Sequence, residues 1–270
     1  MTTMTRQAAR TTPVATFGKA GMVCYGVVHL LIAYLAIRVA TGDGSQPADQ
    51  SGALEEIAGT TFGGVVLWVL AIGLFAFGLW QLMLAAVGYT WRIKKRTRAF
   101  KRIGALVRAV IGFSLGGLAV KLATGSGEAQ SSGQRQQTFT AKLLELPAGR
   151  LLVGLCALVV IGFAVASVVS GVLRSFMKDL DTTELPAGSQ KWVRRIGMIG
   201  YIAKGVAIAI VGILLGVAAL RRNPGKAGGL DGALRTLAAQ PFGIVLLIAV
   251  AIGLAAFGIY CFAAARSHRT

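Results

Sequence analysis

Charge is what this chain has least of, and acid is its scarcest charge. Only 14% of its 270 residues are charged, and ten of them are Asp or Glu. Two histidines and three cysteines complete a thin chemical inventory. Each scarcity excludes something. His29 and His268 lie far apart in sequence, which leaves no metal-ligand cluster to expect. Cys24, Cys156 and Cys261 are odd in number, lack a CxxC partner and fall in separate apolar segments, which argues against a disulfide framework. They are expected to be small packing residues. Membrane hydrolases and transferases need a nucleophile with a base, paired carboxylates or a metal. The apolar segments hold no acid and one histidine, so catalysis is not expected, and no cofactor is implied.

What the chain has is hydrocarbon. Hydrophobic residues make up 55% of it, and mean hydropathy is +0.68. Six apolar runs reach the length of about 18 residues that crosses a bilayer as a helix. They cover roughly 20–40, 62–88, 103–123, 148–173, 196–220 and 241–265. The expected fold class is all-α, an integral membrane bundle of six transmembrane helices. The opening residues MTTMTRQAARTTPVATFG are polar and basic, unlike a cleavable signal peptide. They are expected to form a disordered cytoplasmic tail ahead of an uncleaved first span.

The formal charge of +18 is distributed unevenly. Arg6, Arg10 and Lys19 lie near the N-terminus, and Arg92, Lys94, Lys95, Arg96, Arg98, Lys101 and Arg102 lie in the connection at 89–102. The connection at 174–195 adds more bases, whereas the one at 41–61 holds Asp43, Asp49, Glu55, Glu56 and no base. The positive-inside rule therefore places both termini in the cytoplasm. The run WRIKKRTRAFKR, 91–102, is expected to be a short hinge at the membrane surface, facing anionic lipid headgroups at about 1 kcal/mol per basic residue. Its place between two spans argues against a nucleic-acid partner. Trp91, Tyr89 and Trp192 are expected interfacial anchors.

The chain repeats itself three times. GMVCYGVV at 21–28, GALVRAVI at 104–111 and GYIAKGVA at 200–207 each open the first helix of a pair. GGVVLWVLAIGLFAFG (63–78), GRLLVGLCALVVIGFA (149–164) and GIVLLIAVAIGLAAFG (243–258) form the second helices, with Phe77, Phe163 and Phe257 at one position. The interval from Gly21 to Gly63 is 42 residues, from Gly104 to Gly149 45, and from Gly200 to Gly243 43. Gly52-Ala53-Leu54 echoes Gly232-Ala233-Leu234, and Arg38 and Lys121 share a position. Two spans per copy make the copies parallel repeats about an axis along the membrane normal, giving a pseudo-threefold bundle. The expected division is a tail at 1–16 and repeats at 17–96, 97–180 and 181–270. GALEEIAG and GALRTLAAQ are expected short amphipathic turns on the outer surface.

This pattern resembles the bacterial membrane family known as domain of unknown function 1206. Members of that family carry three two-helix repeats, each opening with Gly, aromatic, small, small, Arg or Lys, Gly. Gly200-Tyr201-Ile202-Ala203-Lys204-Gly205 matches in full. Copy two keeps Gly104 and Arg108 but has Ala109, and copy one keeps Gly21 and Gly26 but has Tyr25 in the cation's place. The resemblance covers about residues 17–265. It implies architecture and a bacterial inner-membrane location, and no activity.

Arg108 and Lys204 are the candidate contacts for an anion or lipid headgroup. Four residues past the motif glycine, they would lie about 6–8 Å inside the cytoplasmic end of their spans. Three arrangements suit them: snorkelling anchors, walls of a shallow inward basic pocket, or, for Lys204, a partner of Asp179, Asp181 or Glu184 at the surface. Gly21, Gly26, Gly73, Gly78, Gly104, Gly116, Gly200, Gly205, Gly212, Gly253 and Gly258 are expected helix-packing positions, since small residues let backbones approach in lipid. His29, lacking an acid at its depth, is expected to pack rather than relay protons. The function that fits is a non-catalytic scaffold or lipid-interacting accessory protein whose partners are anionic membrane lipids. The alternative is a passive transporter or channel for a small anion: Pro147 and Pro241 sit at span starts, leaving no broken helices, and coupling acids are missing.

Alkaline phosphatase fused after Gly125 should be active, as a periplasmic fusion is, and inactive when fused after Lys178. The opposite pair of activities would invert the orientation.

Overall fold

The computed structural model describes residues 13–86, 95–126, 130–181 and 188–267. In hydrocarbon every backbone N–H and C=O must be satisfied within the segment, and six long helices do this. They are α1 (Pro13–Ala40), α3 (Gly63–Ala86), α4 (Lys95–Ala123), α6 (Gly149–Val172), α7 (Gln190–Arg221) and α9 (Gly243–Ser267). Each contains a stretch long and apolar enough to cross a membrane. Three short helices complete the set among the described residues: α2 (Gln50–Ala58), α5 (Ser132–Leu144) and α8 (Leu230–Ala238). Each repeat is thus a long helix, a short one and a second long one. Both described chain ends lie on one face of the bundle, the terminal face, and the short helices cover the other, the loop face.

Two boundaries differ from expectation. The basic run is no hinge from Lys95 onward, because no Gly or Pro interrupts residues 95–103 and the helix continues into α4. Its first part, like Tyr89 and Trp91, falls outside the described residues. The expected tail also loses its last residues to α1, which starts at Pro13, a residue suited to a first helical turn.

The short helices are joined through Asp49. This carboxylate is fully buried, N-caps α2, and accepts from Ser51 N, Ser51 Oγ and Gly52 N at 2.8, 2.7 and 3.1 Å. Its other oxygen accepts from Ser132 N at 2.7 Å and Ser132 Oγ at 2.5 Å, at the start of α5. Asp231 of α8 in turn accepts from Ala48 N at 2.8 Å. The N-terminal ends of α2 and α5, with their partial positive charge, therefore share one carboxylate. Each short helix then enters the next span through an equivalent tight turn. A Cβ on Gly63, Gly149 or Gly243 would strike the carbonyl of Ile57, Leu143 or Ala238 respectively. The third short helix, α5, carries no match to the Gly-Ala-Leu sequence of the other two, and so its existence was not anticipated.

Around the bundle the packed order is α4–α3–α1–α9–α7–α6. Neighbouring repeats pack in all three possible ways: α3 on α4, α6 on α7, and α9 on α1. Within repeats, α1 packs on α3 and α7 on α9, but α4 and α6 do not pack along their lengths. Among the described residues the arrangement is a pseudo-threefold ring left open inside repeat 2.

Asp49→Ala should lower stability by about 3 kcal/mol, since it strands several buried donors. Asp43→Ala, which removes an exposed partner of Arg38, should cost under about 1 kcal/mol. Thermal unfolding in detergent checks both, and equal effects would contradict the role given to Asp49.

Candidate functional site

The repeated motif builds the centre of the bundle. In copies one and three its first glycine meets the second helix of the same repeat. A Cβ on Gly21 would strike the Gly73 carbonyl and the Phe77 backbone, and one on Gly200 would lie 2.6 Å from Phe257 Cα. Gly73 and Gly253 answer from the second helices, against Cys24 and Ala203. Five residues on, the motif meets the neighbouring repeat. Gly26 lies on the Gly258 carbonyl, Gly205 on the Ala164 carbonyl, and Ala109 offers its carbonyl to Gly78. Farther along, Gly116 faces Phe75 and Gly212 faces Ile161.

Copy two departs from this scheme. A Cβ on Gly104 would lie 3.5 Å from Arg108 Nη1 and 3.9 Å from Phe163 Cε1, with no backbone of α6 near it. The residue matching Gly73 and Gly253 is Val159, and it is 53% exposed. A β-branched side chain stands where the other hairpins need none. The sequence carried this signal in the aligned second helices, where it reads as one more apolar residue.

The motif cation of copy three faces inward. Lys204 Nζ donates to Tyr25 Oη at 3.1 Å, and so meets the residue that replaces the cation in copy one. It also lies 4.0 Å from the Phe257 ring centroid and 5.2 Å from that of Tyr25. Cation–π contacts of this kind contribute about 2 kcal/mol when desolvated. Tyr25 stacks on Phe77 at 4.8 Å and meets His29 edge-on at 4.4 Å. His29 is buried, and its Nδ1 lies 2.9 Å from the Tyr25 carbonyl, the placement of a packing residue. Arg108 is half-buried, and both it and Lys204 lie within electrostatic range of the Cys261 thiol. No carboxylate pairs with Lys204 among the described residues. Asp179 instead binds Lys101 at 2.8 Å, and Asp181 donates its N–H to the Ser267 carbonyl at 2.6 Å. Glu184 lies outside the described residues.

Helix α7 begins at Gln190, fourteen residues or about 21 Å along the helix before Lys204. Trp192 stands exposed near that start.

Two features escaped sequence reasoning. Gln81 is only 2% exposed, and its Oε1 has no hydrogen-bond partner. Ser167 and Cys261 occupy the matching positions of the other repeats, so a polar atom recurs one turn beyond each repeated Phe. Phe176, in the short 3-10 turn Ser175–Asp179, packs against Gly197 and stacks on Tyr201 at 5.0 Å, with Tyr260 edge-on at 5.1 Å. No group of three or more His, Cys, Asp or Glu is placed to hold a metal among the described residues. A hollow of about 460 Å³ on the loop face, beside Glu145, Arg150 and Arg222, is separate from this centre.

Equivalent glycines should respond unequally. Gly200→Ala should cost about 1–3 kcal/mol through overpacking against Phe257. Gly104→Ala should be neutral or stabilise slightly, because the space is there and Ala favours helix by about 1 kcal/mol. Thermal unfolding of the two variants checks this.

Comparison with known proteins agrees with the threefold architecture. The family described as Domain of Unknown Function (DUF1206) matches the chain three times, over residues 20–88, 103–174 and 199–268. A relative from Bacillus subtilis (strain 168), titled "Uncharacterized protein YxxB", is 31% identical over 244 residues, covering 90% of this chain and 87% of its own length. No solved structure matches the chain significantly. With three family repeats laid along six membrane-spanning helices, the chain belongs to the DUF1206 family of multi-pass membrane proteins.

Proposed function

We propose that this protein is a non-catalytic component of the bacterial plasma membrane that holds an anionic lipid headgroup through Arg108 and Lys204, serving as a scaffold or accessory subunit. One observation carries the reading. Lys204 turns toward the bundle centre, where among the described residues it has ring faces and a hydroxyl for company instead of a carboxylate. A buried cation is costly without a counter-charge, and a phosphate group supplies one. Both termini are cytoplasmic in this proposal. The support is Arg98, Lys101, Arg102, Arg194 and Arg195 near the terminal face, against Asp43, Asp49, Glu55, Glu56 and Asp231 at the loop face.

The same cations would suit a passive path for a small anion. Against it, Tyr25, Phe77, Phe257, Tyr201, Tyr260 and Phe176 form one continuous set of ring contacts across the centre, which leaves no room for a wetted column there.

Native mass spectrometry of the detergent-purified protein tests the proposal, comparing wild type with the Arg108→Gln, Lys204→Gln double variant. A specific anionic lipid retained by wild type and lost from the variant is expected. Equal retention would overturn the headgroup site, and anion flux into vesicles abolished by the same variant would favour the passive path.

A further inference from the structure

We propose that the hollow on the loop face, where α5 turns into α6 beside the end of α7, binds one membrane lipid by an anionic phosphate headgroup. The site uses neither Arg108 nor Lys204.

Packing between repeats 2 and 3 builds its walls. The chain leaves α7 through Arg222, in the left-handed region at φ 49°, and enters a 3-10 turn at Pro224–Lys226. That turn packs on both α5 and α7, and Gln137 Nε2 of α5 donates to the Gly225 carbonyl at 3.5 Å. The hollow so enclosed measures about 460 Å³. Small-molecule sites run from about 300 to 1,000 Å³, so it suits a headgroup better than a bare ion. Leu144, Leu146 and Ala148 give it apolar walls, and Glu145, Arg150 and Arg222 give it charge.

The other repeats show what is particular here. Each short helix turns into the next span, and Phe62 and Phe242 hold the position of Ala148. Both rings stand out from the surface, 76% and 85% exposed. At the positions of Glu145 and Arg150, copy one has Gly59 and Gly64, and copy three has Ala239 and Ile244. Loss of the ring and gain of the charges coincide in one repeat, at the hollow.

The charges there are also available. On the loop face Arg38 pairs with Asp43 and Glu56, and Arg235 pairs with Asp231. Among the described residues, no hydrogen bond or ion pair engages the side chains of Glu145, Arg150 or Arg222. Lys142 in the last turn of α5, Arg221 at the end of α7 and Lys226 in the 3-10 turn make the same corner more basic. Guanidinium groups match phosphate oxygens with two parallel N–H donors, which makes a phosphate the natural anion for the two arginines. Glu145 can accept from a hydroxyl or ammonium of the same headgroup.

Place selects a lipid over a soluble ester. Arg150 is the second residue of a membrane-spanning helix, and Leu151 beside it is 76% exposed. A lipid can seat its phosphate in the hollow and lay its chains along α6. A soluble ester would leave the apolar walls unused.

A photo-crosslinking amino acid in place of Leu146, in vesicles of phosphatidylcholine with a minor share of phosphatidylglycerol, tests the site. The control is the same probe in place of Phe62, at the matching turn of repeat 1. Phosphatidylglycerol is expected several-fold above its share of the bilayer at Leu146, and at about its share at Phe62. The Arg150→Gln, Arg222→Gln pair should remove the excess. Ala148→Phe should remove it too, by restoring the ring of the other repeats, without loss of thermal stability, because Phe242 adopts the same backbone at φ 58°. The Arg108→Gln, Lys204→Gln pair should leave the excess intact. Equal capture at the two positions overturns the proposal, as does an excess that survives either the arginine pair or Ala148→Phe. An excess lost with Arg108 and Lys204 assigns the capture to the central site and overturns this one. Competition by millimolar glycerol phosphate overturns the lipid and makes the ligand a soluble phosphate ester.

Discussion

Helices surrounded by lipid gain little by hiding apolar side chains from one another, so this bundle depends on how closely its backbones can approach. Where a glycine of one helix lies on a carbonyl or Cα of the next, dispersion and short polar contacts replace the missing hydrophobic drive. Gly26 with Gly258, Gly205 with Ala164 and Gly78 with Ala109 are three copies of one such contact, and they join each repeat to its neighbour. The ring stands on these. The contacts inside repeats are a second set, made by Gly21 and Gly200, and one copy of it is missing.

That missing copy breaks the equivalence of the three repeats. A sequence repeated three times would give three equal walls, and any ligand would see an averaged site. Here Val159 and Arg108 belong to the same repeat, so the wall that fails to close is the wall with a cation at its edge. Repeat 3 supplies the second cation across the centre, and repeat 1 supplies Tyr25 to hold it.

Much of the fold was legible in the sequence, because span length, repeat interval and glycine spacing follow directly from bilayer thickness and helix geometry. The short helices were half legible. Gly-Ala-Leu marked the places of α2 and α8, as amphipathic turns rather than helices, but α5 is written in a different, polar sequence and only its capping by Ser131 marks it. Asp49 looked like a loop charge, since nothing local shows that a carboxylate will be buried by a serine 83 residues away. The direction of Lys204 was not legible either. A cation flanked by apolar residues on every side has the same sequence whether it turns out to lipid or in to Tyr25, and the repeat alignment that equates positions 25 and 204 does not say that they touch. Val159 was visible but mute, since its meaning comes from the glycines it replaces.

The central claim is that the ring opens inside repeat 2, and spin-label distances in a lipid nanodisc test it directly. Labels would be placed on a background with the native cysteines replaced, at the matching pairs Tyr34 with Val66, Gly117 with Leu152, and Ile213 with Leu246. The account predicts a distinctly longer distance for the Gly117–Leu152 pair than for the other two. Three equal distances would contradict it, and would make the protein a closed threefold bundle.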